Sequence, residues 1–157
     1  MKNILSFSVR RQDLYWMVVR LIVWTVVLFL LSYSVAFSVF GVERDYNNYL
    51  SFYSEIGPRF DLREFRYEPG FVLFAWAAKN VLGFDFRWFL FLSAILALGV
   101  KIWLINRHTK YPVLVFLVYV LAFMPIFEHA QIRLAIGISF SYLGLLLFVL
   151  GRQRSGL

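Results

Sequence analysis

Gly70-Phe71-Val72-Leu73-Phe74-Ala75-Trp76-Ala77-Ala78-Lys79-Asn80-Val81-Leu82 is the stretch on which the fold turns. It is apolar almost throughout, yet as a helix it reaches only about 20 Å, against the roughly 30 Å of a bilayer's hydrocarbon. Lys79 and Asn80 sit near its far end. Whether this piece crosses decides the sidedness of everything that follows it.

The surrounding chain is 61% hydrophobic and 20% aromatic over 157 residues. A soluble domain of that size has too few polar residues to cover so much apolar surface, so lipid is the expected solvent. Four further segments read as spanning helices, at about 16–40, 87–105, 112–127 and 132–150. Arg20, near the start of the first, can snorkel. The chain has no cysteine, which excludes disulfide, thiol and iron–sulfur chemistry. The net charge of +7 is explained by basic residues flanking spans. No basic patch with interleaved aromatics has the look of a nucleic-acid surface, so no nucleic-acid partner is expected.

Charge sorts the topology. If 70–82 crosses, the basic connector Lys101/Arg107/Lys110 lands opposite the N-terminus and breaks the positive-inside rule. If 70–82 lies at the interface, Lys2, Arg10 and Arg11 share the cytoplasmic side with that connector and with Arg152 and Arg154. Residues 41–86 then form an outward loop, and 127–133 an outward turn. The expectation is therefore an all-α polytopic protein of the cytoplasmic (inner) membrane, a single integral membrane domain with a cytoplasmic N-terminus. It has four transmembrane helices and two short juxtamembrane helices in the first outer loop. Ser34-Val35-Ala36 gives the N-terminus a signal-peptide-like triplet, but the apolar run continues past it.

Six of the nine acidic residues fall between Glu43 and Glu68, inside that outward loop. After Asp45, Tyr46, Tyr49, Leu50 and Tyr53 recur at helical spacing, with Asn47, Asn48, Ser51 and Ser54 opposite. This predicts an amphipathic helix in the interface, with its tyrosine rings at headgroup level. Gly57-Pro58 ends it. Pro69 suits the start of the next helix. A second polar cluster, Glu128-His129-Ala130-Gln131-Ile132-Arg133, falls on the same side. Behind Arg133, the small residues Gly137, Ser141 and Gly144 form a stripe that lets another helix approach.

Each candidate has an ordinary structural use as well. Asp45 suits a helix N-cap, Glu68 a turn before Pro69-Gly70, and Arg133 an interface anchor. Asp45, Glu128 and His129 are acceptable metal ligands, but their spacing matches no metal motif, so no metal is expected. No Walker loop, GxGxxG, GxSxG or HExxH occurs, and no cofactor is expected. What remains is a definite kind of chemistry. A carboxylate can take a proton from a sugar hydroxyl. An arginine at the surface can hold a pyrophosphate, and aromatic rings can stack on sugars or lie against lipid.

Three of these elements also carry a resemblance. Arg44-Asp45-Tyr46-Asn47-Asn48-Tyr49 resembles the Asp-Tyr-x-x-Tyr element in the first outer loop of the EpsG family. Tyr67-Glu68-Pro69-Gly70-Phe71 resembles its Glu-x-Gly-aromatic element. Gln131-Ile132-Arg133-Leu134-Ala135 resembles its Arg-x-x-(Ala) element, with Ala135 one position early. That family comprises membrane proteins of exopolysaccharide and capsule synthesis, similar to Wzy-type (O-antigen) polymerases and, in loop arrangement, to GT-C glycosyltransferases. Its members are usually at least twice this long, so the resemblance implies an N-terminal portion.

The resemblance implies a polymerase-like glycosyltransferase joining repeat units carried on polyprenyl pyrophosphate. Asp45 would be the base or acceptor-binding acid, with Glu68 its rival. Arg133 would hold the pyrophosphate, helped by Arg63 or Arg66. Tyr46 and Tyr49 would position sugar or lipid, and Glu128 and His129 complete the face. The expected partners are the bilayer, the lipid-linked oligosaccharide and other polysaccharide-assembly proteins. Two other classes compete. One is half of a transporter or flippase, disfavoured because the charges sit at span ends. The other is a non-catalytic subunit docking through the Gly137/Ser141/Gly144 stripe.

Overall fold

The computed structural model describes residues 11–37, 45–59 and 67–154. The described residues are helical apart from short turns, with no strand among them. The elements are α1 (Arg11–Phe37), α2 (Asp45–Glu55), α3 (Pro69–Asn80), α4 (Phe86–His108), α5 (Pro112–Ala122), a π-helical segment (Pro125–Ala130) and α6 (Ile132–Arg154). α1 and α4 are long and apolar enough to cross a membrane; α5 and residues 132–148 are shorter apolar helices.

α4 is the axis of the bundle, packing against α1, α3, α5 and α6. Its inward stripe is small where neighbours come close. Ala94 and Ala97 are fully buried, and buried Ser93 returns its hydroxyl to its own helix at Phe89 O, 2.8 Å. α6 meets this stripe through Ala135 and Ser139, both fully buried. The Ser139 hydroxyl lies 2.7 Å from Ala135 O and 3.1 Å from Ala97 O on α4. The expected stripe of Gly137, Ser141 and Gly144 does not meet α4: all three are exposed, and the stripe meets no helix among the described residues. The reason is phase. Ile132, Ala135 and Ser139 lie on the opposite side of the helix from the glycines, and there small side chains and the Ser139 hydroxyl let α4 approach closely.

The expected single span 112–127 is broken. Pro125 has no N–H to donate and its ring crowds the preceding turn. α5 ends at Ala122, and the chain continues as the π-helical segment, with Ile126 N and Phe127 N both returning to Phe123 O.

α2 is amphipathic as expected, but its buried face is Tyr49, Phe52 and Tyr53, continued by Ile56 just beyond its end; Leu50 points away, 40% exposed. These rings pack on protein. Tyr53 stacks on Phe89 at 4.9 Å, Phe52 on Phe71 at 5.7 Å, and Tyr49 tilts against Phe71 at 6.0 Å. Each such buried aromatic contributes roughly 1.5–3 kcal/mol.

Residues 70–82 are placed by contacts at their two ends. Phe71 and Phe74, early in α3, contact Phe89 in the first turns of α4. Phe84, just beyond α3, accepts a 2.8 Å hydrogen bond from Tyr53, which itself stacks on Phe89. Both ends of α3 are thus held at the same end of α4. Gly83, at φ 67°, makes the reversal between them in a region that side chains disfavour. Asp85 then caps α4, its Oδ1 accepting from Trp88 N at 2.9 Å.

Lys79 also finds its explanation here. Its ammonium donates to Tyr53 O (2.8 Å), Ser54 O (2.9 Å) and Ile56 O (2.7 Å), closing the carbonyl end of α2. Asn80 reaches Gly57 O and Trp76 reaches Pro58 O. One face of α3 thus clamps α2 in place.

Candidate active site

The first turns of α2, α3 and α6 converge on one cavity, through Asn48 and Tyr49, Glu68 and Gly70, and Arg133. Glu68 occupies the N-cap position of α3, with extended backbone, and its carbonyl accepts from Phe71 N and Val72 N. Its carboxylate does not cap that helix. It turns instead to Arg133, in the first turn of α6, whose Nε lies 3.4 Å from Oε2. The same guanidinium sits 5.1 Å over the ring of Tyr67. Arg133 is therefore held on two adjacent residues, by charge and by the ring face.

The two side chains are 37% and 65% exposed. An ion pair that open to water adds only about 0–1 kcal/mol to stability. The fold does not need it, and the groups remain available to a ligand.

They stand at the mouth of a cavity of about 850 Å³. Its polar rim is Asn48, Tyr49, Tyr67, Glu68, Gln131 and Arg133; its floor is Phe71, Phe74, Leu96, Ile136 and Phe140. A rim offering an acid, a guanidinium and amides above an aromatic floor suits an amphiphile: a sugar and phosphate above, a hydrocarbon chain below.

The predicted residues divide. Glu68, Arg133 and Tyr49 come together. Tyr46 does not join them; it packs edge-on against Phe86 at 5.1 Å, on another side of α2. Asp45 is the first residue of α2, and Glu128 and His129 lie on the π-helical segment. The side chains of these three, and Arg63 and Arg66 altogether, lie outside the described residues. Tyr67 and Gln131 were adjacent to chosen residues and were passed over; their signal was position inside the same short motifs. Phe74, Leu96, Ile136 and Phe140 are indistinguishable in sequence from lipid-facing apolar residues, and only the fold reveals them.

Nearby, Tyr53 has a shifted proton. Burial, with the Asp85 carboxylate adding to it, pushes its phenol up to about 12. It stays a neutral donor to Phe84 O and helps hold α2 against α4.

Neither a curated protein nor a solved structure matches the chain. The model of the EpsG family matches residues 21–155, which takes in α2, the Glu68 turn and the whole of α6 up to its last charged residues. The chain belongs to the EpsG family.

Proposed function

We propose that this chain serves a membrane polymerase activity that joins lipid-linked oligosaccharide units during exopolysaccharide, capsule or O-antigen synthesis. The observation that carries the reading is Glu68 and Arg133 side by side at the mouth of a cavity with a polar rim and an aromatic floor. In this reading the chain crosses the inner membrane several times, with the cavity mouth outward and α3 lying along the surface. Support for that placement comes from the positions of the two ends of α3 and from the basic connector at the opposite end of α4.

The chemistry follows from the two groups. The acceptor sugar's hydroxyl oxygen attacks the anomeric carbon of the donor, and the bond from that carbon to the pyrophosphate oxygen breaks. The hydroxyl proton passes to the Glu68 carboxylate. The departing lipid pyrophosphate keeps the bonding electrons and is held by Arg133. Arg133 exchanges the Glu68 carboxylate for phosphate oxygens when substrate enters, which frees Glu68 to act as base. Tyr49 and Tyr67, packed together on the rim, offer the sugar an aromatic edge to lie against. Asp45 remains a second candidate for the base, at the start of α2.

The test is Glu68→Gln and, separately, Asp45→Asn in cells that depend on this protein for their surface polymer. Lipid extracts with single repeat units and no long polymer support the reading. Normal long polymer from both variants overturns it.

A further inference from the structure

Arg133 is held by two groups of unlike kind. The Glu68 carboxylate reaches its Nε at 3.4 Å, and the Tyr67 ring lies under its guanidinium carbon, the ring centre 5.1 Å away. An arriving phosphate acts differently on the two. Carboxylate and phosphate compete for the same N–H donors. A ring face attracts the guanidinium as a charge and asks for no donor.

The two holds also differ in firmness. The Glu68 side chain is 65% exposed and makes no bond to the helix it precedes. Tyr67 is half-buried on an aromatic base that α2 and α3 supply together. Phe52 meets its ring edge-on at 4.5 Å and Phe71 at 6.1 Å. Those two rings, 4% and 6% exposed, stack on each other at 5.7 Å. Ring pairs of this kind fix angle as well as position. The Tyr67 ring is thus part of the packed fold, whereas the Glu68 carboxylate stands in water.

We infer that Tyr67 is the positioning residue of this site: its ring keeps the Arg133 guanidinium at the cavity mouth while Glu68 is exchanged for phosphate. This rests on the pyrophosphate role of Arg133 in the proposed function and adds a residue that acts through Arg133. Without the ring, an arginine released by Glu68 spreads over its rotamers, and each incoming anion must order it again. The ring therefore governs affinity for the charged end of a lipid and leaves affinity for its hydrocarbon chain alone.

The full chain, purified in detergent, is titrated with undecaprenyl pyrophosphate and with undecaprenol, and bound lipid is read by native mass spectrometry. Neither probe carries a sugar, so the edge that Tyr67 offers a sugar does not enter. The wild-type chain should prefer the pyrophosphate. Tyr67→Leu should cut that preference about tenfold, and Tyr67→Phe should leave it within about twofold. In an Arg133→Met background, Tyr67→Leu should cut it no further. Phenylalanine with ring fluorines at position 67 keeps the shape and weakens the negative face. The preference should fall with each added fluorine, whatever leucine does to folding. A preference that Tyr67→Leu and the fluorinated rings leave intact overturns the inference and spares the proposed function. Equal weakening of both lipids, or a Tyr67→Leu loss that persists in the Arg133→Met background, overturns it as well. A wild-type chain with no preference for the pyrophosphate overturns the inference and the pyrophosphate role of Arg133 together.

Discussion

Glu68 stands at the N-cap of α3 but gives its carboxylate to Arg133, 3.4 Å away on α6. The contact joins two helices through groups that remain open to water, so its removal should be felt in function before stability. Arg133→Lys keeps the charge and loses the planar fork that the proposed function assigns to a pyrophosphate. Long polymer should fall steeply, while the thermal midpoint of the purified protein moves by no more than about 1 kcal/mol allows. A large loss of folded protein would make the pair structural instead.

Lys79 is expected to matter the other way round. Lys79→Met removes a cation from three carbonyls at the end of α2. Stability in detergent should drop by about 2 kcal/mol, with Lys79→Arg recovering part of it. Limited proteolysis should then cut first around residues 56–59. An unchanged midpoint would show that α2 is held by its aromatic face alone.

Tyr53 makes stability depend on high pH. Its phenol titrates at about 12 in the fold against 10.0 when free, so the fold favours the neutral form. The sign follows: this contribution is complete below about pH 10 and drains away as pH climbs towards about 12. The Tyr53→Phe protein should lose about 1 kcal/mol at neutral pH, with the bond to Phe84 O, and show a flatter midpoint between pH 10 and 12. The comparison of the two proteins' melting curves across that range is the measurement.

Packing on α6 offers a paired contrast. Ala135→Leu forces new volume into a fully buried contact with α4 and should cost about 1–3 kcal/mol. Gly144→Ala meets nothing within 4 Å and should be neutral or stabilise by up to about 1 kcal/mol. Thermal unfolding of both variants decides whether the packing stripe has been assigned to the correct side.

Much of this architecture was legible in residue order. The all-helical class followed from apolar runs, and the pairing of the Glu68 and Arg133 regions from charge sorting, because two polar clusters on one side must meet somewhere. The face of α6 that meets α4 was less legible: Gly137, Ser141 and Gly144 are the more conspicuous small residues, yet the contact is made from the opposite side. Ala135 and Ser139 carried that information less visibly. The break at Pro125 was available from the missing N–H and was overlooked because hydropathy continues through it. The capping role of Lys79 was beyond reach: a lysine ending a short apolar helix gives no hint that another helix terminates beside it. The cavity floor was equally hidden, because apolar residues facing a cavity and those facing lipid look alike.

α6 is a partition wall. Ile136, Gly137 and Phe140 face the cavity beneath Glu68, while Ile138, Tyr142 and Leu145 face a second cavity, of about 730 Å³, between α4, α5 and α6, and the stripe between them is pinned to α4. With that stripe as the seam between them, the two cavities share one wall yet have no lining residue in common, so each can be altered by substitution on its own face of α6.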